Sequence, residues 1–279
     1  MVLKSFAKIN LSLLVNRKLP NGMHDIQSAY CLINIFDLIN IKKIKNSKKD
    51  KVSITGSNSQ FVSPSQNSVS KILILMRKFK LISSYYDVKI YKRIPVFAGL
   101  GGGTSNAASV LKFFIKNKIK DKLLNKIIKH LGSDLRLFFQ NQGYLQNLNK
   151  LDKFKRKYNL YFLVIHTKIK CSTKKIYSGV KNFSEKEKLF QNKIKSKRKF
   201  IAHLINSRND LQSIVEKKYP IIQKLLSDII KFKGCYLSRM TGSGSSCYGL
   251  FENEKCSKAA LKKLRKKYPK FSFSIAKTI

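Results

Sequence analysis

Short apolar strand-like runs alternate with helix-period segments along both halves of this chain, which predicts an α+β or α/β protein of two domains. Three observations support that reading. Runs such as FAKINLSL, YDVKIYKRI and LYFLVIH have the length and apolar content of strands. Apolar residues at Val69, Ile72, Leu73, Leu75 and Met76, and again at Ala108, Leu111, Phe114 and Ile115, keep helical spacing. A polar, charged stretch near 145–158, where the chain reads NLNKLDKFKRKYN, separates the two halves and sets expected domains of 1–150 and 151–279. With 279 residues, 43% of them hydrophobic, the chain can bury a sizeable core in each.

Taken in order, residues 4–15 read as a strand and residues 29–42 as one or two more. Residues 43–67 are rich in Lys, Ser and Asn around one strand-like patch, KVSIT, which suggests a hairpin and a long surface loop. A helix over 67–81 and a strand over 86–94 lead to Pro95. Helices are expected from about Ser105 to Lys118 and from Asp121 to His130, the second stopped by Gly132. The second half opens with LYFLVIH and continues through a basic helical region to helices near 209–217 and 220–231. The segment GCYLSRMTGSGSSCYGLF reads as strand, small-residue turn and strand, and a Lys-rich helix and a final strand close the chain.

The charge is extreme: 58 basic against 14 acidic side chains, a net +44. Taken alone this points to nucleic acid or another polyanion. The lysines are spread evenly, however, with no basic arm, zinc-finger spacing or RNP-like strand, and that pattern fits compositional drift better than a dedicated nucleic-acid site. Five scattered cysteines without a CxxC pair suggest reduced thiols in a cytoplasmic protein, with no metal site of their own. No apolar run is long enough for a membrane helix, and the N-terminal segment lacks the pattern of a signal peptide.

Positions 99–109, GLGGGTSNAAS, lie between a strand-like segment and a helix start. Residues without Cβ let the backbone turn sharply and approach a ligand, and the first N–H groups of a helix lack internal partners. Together with the helix dipole they form a phosphate cradle, to which Thr104 and Ser105 would add hydroxyls. The Walker pattern fails because no Lys follows the glycines, and the dinucleotide pattern fails at Thr104. A plain glycine turn is the other reading of this stretch. Among the few acids, Asp134 follows Gly132 and precedes the apolar run 135–139, so partial burial could tune it as a base; a helix cap or turn is the alternative. Lys8 sits between Ala7 and Ile9, an unusual setting for Lys unless it is paired.

The segments SFAKINLSL, PVFAGLGGGTSNAAS, GSDLRLFF at 132–139 and TGSGSS at 241–246 occur in an order that resembles the GHMP kinases. AKINLSL followed by PNGMH at 20–24 is similar to the branch whose substrate carries a cytidine diphosphate group. The resemblance implies an α+β fold, with a β/α N-terminal domain holding the glycine loop and a ferredoxin-like C-terminal domain. It implies ATP and Mg2+, with the ion held through ATP phosphates and possible help from Thr104 or Ser105. It puts Asp134 as the proton acceptor and Lys8 beside it, and Asn10 next to the substrate. His24 would recognise the cytosine edge, Tyr177 would face the base, and Gly242 and Ser243, with Gly244 and Ser245, would lie near the transferring phosphate. ATP would lie along Pro95, Gly99, Leu100, Gly101, Gly102, Gly103, Thr104 and Ser105, with Asn67 and Lys92 near the nucleotide. The implied partner is that small molecule, with no membrane, no nucleic acid, and a monomer or weak homodimer. Two departures stand out: Met23 where the family has Tyr, and Leu135, Arg136 and Leu137 where it has VPF. The rival readings are a homoserine- or mevalonate-type kinase and a basic nucleic-acid-binding protein on this fold.

Overall fold

The computed structural model describes residues 2–116, 119–187, 194 and 196–279. Contacts divide the chain into two compact units. The first holds residues 1–8, 35–96 and 101–140; the second holds 9–34, 97–100 and 141–279. The division is therefore not a single cut: β1 (Val2–Asn10) and β3 (His24–Ile44) each contribute residues to both units.

In the first unit, the second half of β3 pairs antiparallel with β5 (Tyr85–Tyr91), Leu38 opposite Tyr91 and Ile44 opposite Tyr85. The KVSIT strand, β4 (Lys51–Thr55), lies parallel to β5 rather than in the expected hairpin. A parallel pair needs a crossover, and α1 (Ser68–Lys78) supplies it between β4 and β5. Asn67 starts α1 as an N-cap whose side chain accepts from the Val69 and Ser70 amides, and Val69, Ile72, Leu73 and Met76 bury the inner face.

Next comes α2 (Gly102–Ile115), which begins three residues before the expected start at Ser105 because the glycines form its first turn. It buries Ala107, Ala108, Val110 and Leu111. After it comes α3 (Asp121–Leu131), with Leu124, Ile127 and Ile128 inward, ended by Gly132 at φ +107°. A 3-10 helix at Ser133–Phe139 follows and buries Leu135, Leu137 and Phe138.

In the second unit, the first half of β3 pairs with β2 (Leu14–Lys18) on one side and β6 (Gln142–Asn147) on the other, and β6 folds back on β7 (Lys150–Lys153). A separate four-stranded antiparallel sheet has the order β11-β8-β10-β9, built from β8 (Tyr161–His166), β9 (Cys235–Met240), β10 (Cys247–Phe251) and β11 (Ser272–Lys277). Helices α4 (Thr173–Ser178), α5 (Lys197–Asn206), α6 (Gln212–Lys218) and α7 (Pro220–Ile230) connect β8 to β9, and α8 (Glu254–Lys267) connects β10 to β11. This chain order and strand order make the ferredoxin-like arrangement.

Two helix starts show how the sequence sets these elements. Pro220 opens α7, where its missing N–H costs nothing, and Ile222, Leu225, Leu226 and Ile229 form one buried stripe. Asn253 caps α8, whose seven Lys and Arg side chains leave only Ser257, Ala260 and Leu264 buried. Arg239 on β9 is buried, and its guanidinium donates to the carbonyls of Leu11, Leu204 and Ser207. No helix among the described residues is long and apolar enough to cross a membrane.

His166 ends β8 half-buried, and burial, with Lys168 nearby, lowers its pKa from 6.5 to about 4. The folded state therefore favours the neutral ring, while the unfolded chain takes up a proton at its ordinary pKa. This contribution to stability is complete above the unfolded value of 6.5 and is lost as pH falls towards about 4. His166→Gln is accordingly expected to show a shallower loss of Tm between about pH 7 and about pH 4.5 than the parent chain. Equal slopes in the two calorimetric series would contradict this account.

Candidate functional site

The glycine loop crosses from one unit to the other at Leu100–Gly101. On the first-unit side, Gly101 adopts the left-handed conformation, φ +68°, immediately before α2. A Cβ there would stand 2.9 Å from the Phe138 ring and 3.1 Å from Cγ of Lys8. Close approach of backbone to these two side chains thus requires glycine on steric as well as conformational grounds. The stem of Lys8 runs along this backbone, and its ammonium lies 3.5 Å from a carboxylate oxygen of Asp134. Lys8 is almost fully buried, whereas the Asp134 side chain is 41% exposed. The arrangement leaves one carboxylate facing solvent beside a cation held in place by its own burial.

The 3-10 helix carrying Asp134 is anchored from two directions. Lys112 on α2 donates to the Phe138 carbonyl at 3.1 Å, and burial lowers the pKa of that lysine. Arg136 donates to the side chain of Asn125 on α3. The departure at 135–137 is accommodated here: Leu135 and Leu137 go into the core, and Arg136 turns to α3.

The other loop residues divide by what their side chains touch. Gly103 is exposed and Thr104 half-buried at the first turn of α2. The Ser105 hydroxyl is buried and donates to the Phe6 carbonyl at 2.6 Å. Leu100 is a core side chain, 1% exposed, and Pro95 is half-buried before the loop. Asn67 uses its side chain within its own turn, accepting from Val69 and Ser70 and donating to the carbonyls of Ser63 and Pro64. Lys92 is 3% exposed and ion-paired with Asp37, with Asn106 at 3.1 Å. Asp37, Asn106 and Ser5 were not singled out in the sequence, although an Asp inside the apolar run LINIFDLINI is itself a sign of a buried partner.

In the second unit, Gly99 at φ +71° packs against the small-residue turn. A Cβ there would stand 2.1 Å from the Thr241 carbonyl oxygen and 3.2 Å from the Gly244 amide. Asn10 joins them: its amide donates to the Thr241 hydroxyl at 3.0 Å, and its side chain donates to Ser28. Asn209 holds the turn from behind, donating to the carbonyls of Met240 and Gly242. The Ser243 hydroxyl lies 2.9 Å from that of Thr173, the first residue of α4. Ser245 is buried and donates to the Ile169 carbonyl.

His24 and Tyr177 come together in the same unit, ring centroids 5.1 Å apart and tilted by 33°. Phe183, which the sequence reading did not mark, stands on the same imidazole at 6.4 Å and is 46% exposed. Partial burial lowers the His24 pKa, and Lys18 lowers it further, so the ring favours its neutral form, with one donor and one acceptor nitrogen. Met23 is exposed next to it. A cavity of about 480 Å³ in this unit is lined by residues including Phe183, Ser184, Arg208, Asn209, Asp210 and Gln212.

Comparisons with known proteins bear on this geometry. Residues 67–137 match the family description "GHMP kinases N terminal domain" and residues 188–270 match "GHMP kinases C terminal". A protein named 4-diphosphocytidyl-2-C-methyl-D-erythritol kinase from Pelagibacter ubique is 35% identical, over 95% of this chain and 94% of its own. A Wolbachia pipientis protein of the same name is 31% identical over 96% and 95%. A crystal structure of 4-(cytidine 5'-diphospho)-2C-methyl-D-erythritol kinase superposes with a TM-score of 0.75 at 20% identity, covering 99% of each chain. Homoserine kinase from Cytophaga hutchinsonii gives 0.67 at 15% identity, over 100% and 94%, which marks the wider fold. The chain is a member of the GHMP kinase family, in its 4-diphosphocytidyl-2-C-methyl-D-erythritol kinase branch.

Proposed function

We propose that the chain transfers the γ-phosphoryl group of ATP to the 2-hydroxyl of 4-diphosphocytidyl-2-C-methyl-D-erythritol, a step in non-mevalonate isoprenoid precursor synthesis. The observation that carries the chemistry is the Asp134–Lys8 pair set against the glycine at position 101. Phosphoryl transfer asks the protein mainly for position and electrostatics. The amides at the start of α2 would receive phosphate oxygens, and the backbone at Gly101 keeps the approach open. Asp134 would accept the proton of the attacking hydroxyl at its exposed carboxylate. The Lys8 ammonium, fixed by burial, would orient the carboxylate before transfer and steady the developing charge during it. The hydroxyl oxygen forms the new P–O bond, the bond to the bridging oxygen breaks, and ADP leaves with that electron pair.

Magnesium would enter as the ATP complex, neutralising phosphate charge. The donor set suits an ion carried in this way. Among the described residues no three His, Cys, Asp or Glu side chains gather as a metal-binding group, so phosphate oxygens would supply most of the ligands. Thr104 is the hydroxyl of the first turn placed to add one, since the Ser105 hydroxyl is committed to Phe6. In the second unit the rings of His24 and Tyr177 would read and face the nucleobase, Phe183 adding apolar surface. Asn10, Gly242 and Ser243 would contact the substrate. The five free cysteines suit a reducing cytoplasm.

A coupled ADP-release assay decides the substrate. Turnover is expected with the cytidyl alcohol and not with mevalonate or homoserine; the reverse preference would reject the reading. Asp134→Asn is expected to lower kcat by about 10²–10⁴-fold with ATP affinity retained, because a positioned base contributes on that scale. An unchanged kcat would remove Asp134 from proton transfer. Gly101→Ala is expected to weaken ATP binding by tenfold or more, about 1.4 kcal/mol, because the methyl group would collide with Phe138 and Lys8. Wild-type affinity in that variant would show that the backbone there does not approach the phosphates.

A further inference from the structure

We propose that Asp37, Lys92 and Asn106 form a buried clamp that positions the phosphate loop, with Lys92 acting from beneath the loop and not as a ligand of the nucleotide. The inference rests on the kinase reading above. All the groups involved lie in the first unit.

Asp37 is completely buried, and its two oxygens have four donors. One oxygen accepts from the backbone amides of Arg93 and Ile94, at 2.7 and 2.8 Å. The other accepts from the Lys92 ammonium and from the Asn106 side-chain amide, the latter at 2.9 Å. Residues 92–94 lead directly into the glycine loop, and Asn106 lies in the first turns of α2. A single carboxylate therefore fixes the chain on both sides of the loop.

The ammonium of Lys92 also lies directly under the loop. A Cβ on Gly102, the first residue of α2, would stand 3.2 Å from Nζ and 2.9 Å from Ile94. Lys92 is 3% exposed, and its ammonium also donates to Asn106. A buried ammonium with a carboxylate and an amide oxygen already bound gains little by leaving them, whereas breaking such a pair leaves an uncompensated buried charge. Its role is thus to hold the floor of the cradle.

The clamp reaches the strand that carries Lys8. Asn106 donates to the Ser5 hydroxyl at 2.9 Å, the Ser5 and Ser105 hydroxyls lie 2.7 Å apart, and Ser105 donates to the Phe6 carbonyl. With Ser105 donating to Phe6, the hydrogen between the two hydroxyls comes from Ser5, and every proton in the relay has one acceptor. The start of α2 is thereby tied to β1 two residues before the cation that faces Asp134.

The test separates phosphate positioning from nucleoside contact by comparing ATP with inorganic tripolyphosphate. In titration calorimetry on the full chain, Asn106→Ala is expected to raise Kd for both by the same factor, about tenfold, the scale of a lost hydrogen bond to a charged group. KM for ATP should rise alike, while kcat at saturating ATP changes far less. Ser5→Ala, which leaves the ion pair intact, is expected to shift both affinities the same way by about threefold and remains informative if Asn106→Ala does not fold. Leu73→Ala, a core cavity in the same unit, should lower Tm without changing either affinity.

Unchanged affinities in folded Asn106→Ala and Ser5→Ala would overturn the clamp. So would weaker ATP binding with tripolyphosphate unaffected, or equal losses in Leu73→Ala. A wild-type chain that neither binds ATP nor turns over the cytidyl alcohol would instead reject the kinase reading itself.

Discussion

The chain passes Lys8 and Phe138 at position 101 with no room for a side chain, and much of the candidate site depends on that passage. Glycine makes the close contact possible but contributes no interaction of its own, so neighbouring groups must hold the backbone there. Phe138 belongs to the same 3-10 helix as Asp134, and Lys8 is its ion-pair partner. One backbone contact therefore couples the place where phosphate would sit to the carboxylate that would take the proton. Lys112 and Arg136 keep the 3-10 helix against α2 and α3, so the carboxylate is placed by packing rather than by a flexible loop.

Much of the fold was legible in the sequence, because its signals are local. Helical spacing marked α1, α3 and α7, and the apolar run LYFLVIH marked β8. The errors came where the deciding information was not local. KVSIT pairs with a strand some thirty residues later and in parallel, a choice that no property of the five residues expresses. The start of α2 was placed late because glycine is a poor helix former, and here the first turn is held by tertiary contacts instead.

The site divides in the same way. Lys8 and Asp134 could be marked as candidates, one by its apolar neighbours and the other by its position after a glycine. Their 3.5 Å separation was not readable, since more than a hundred residues intervene. Asp37 and Asn106 carried weaker marks, because a single acid in a strand and an Asn in a helix have many ordinary explanations. Phe183 had none at all: its position beside His24 follows from how residues 179–184 run after α4. Leu135, Arg136 and Leu137 stand where the family has VPF, and the structure shows two leucines filling the core while the arginine finds Asn125.

The interleaving of the two units has a consequence for how such a protein can be divided. The second unit takes residues from three separate stretches, and residues 141–279 alone would lack essential parts of it. Arg239 would lose the Leu11 carbonyl, the bridge from Leu13 to Asn209 would vanish, and Thr278 would have no Ile33 beside it. A buried guanidinium short of an acceptor is costly enough to unfold a small fragment. The gene therefore offers no point at which recombination could exchange one unit for another as an intact module, and variation in this chain must proceed by substitution and by changes within surface loops.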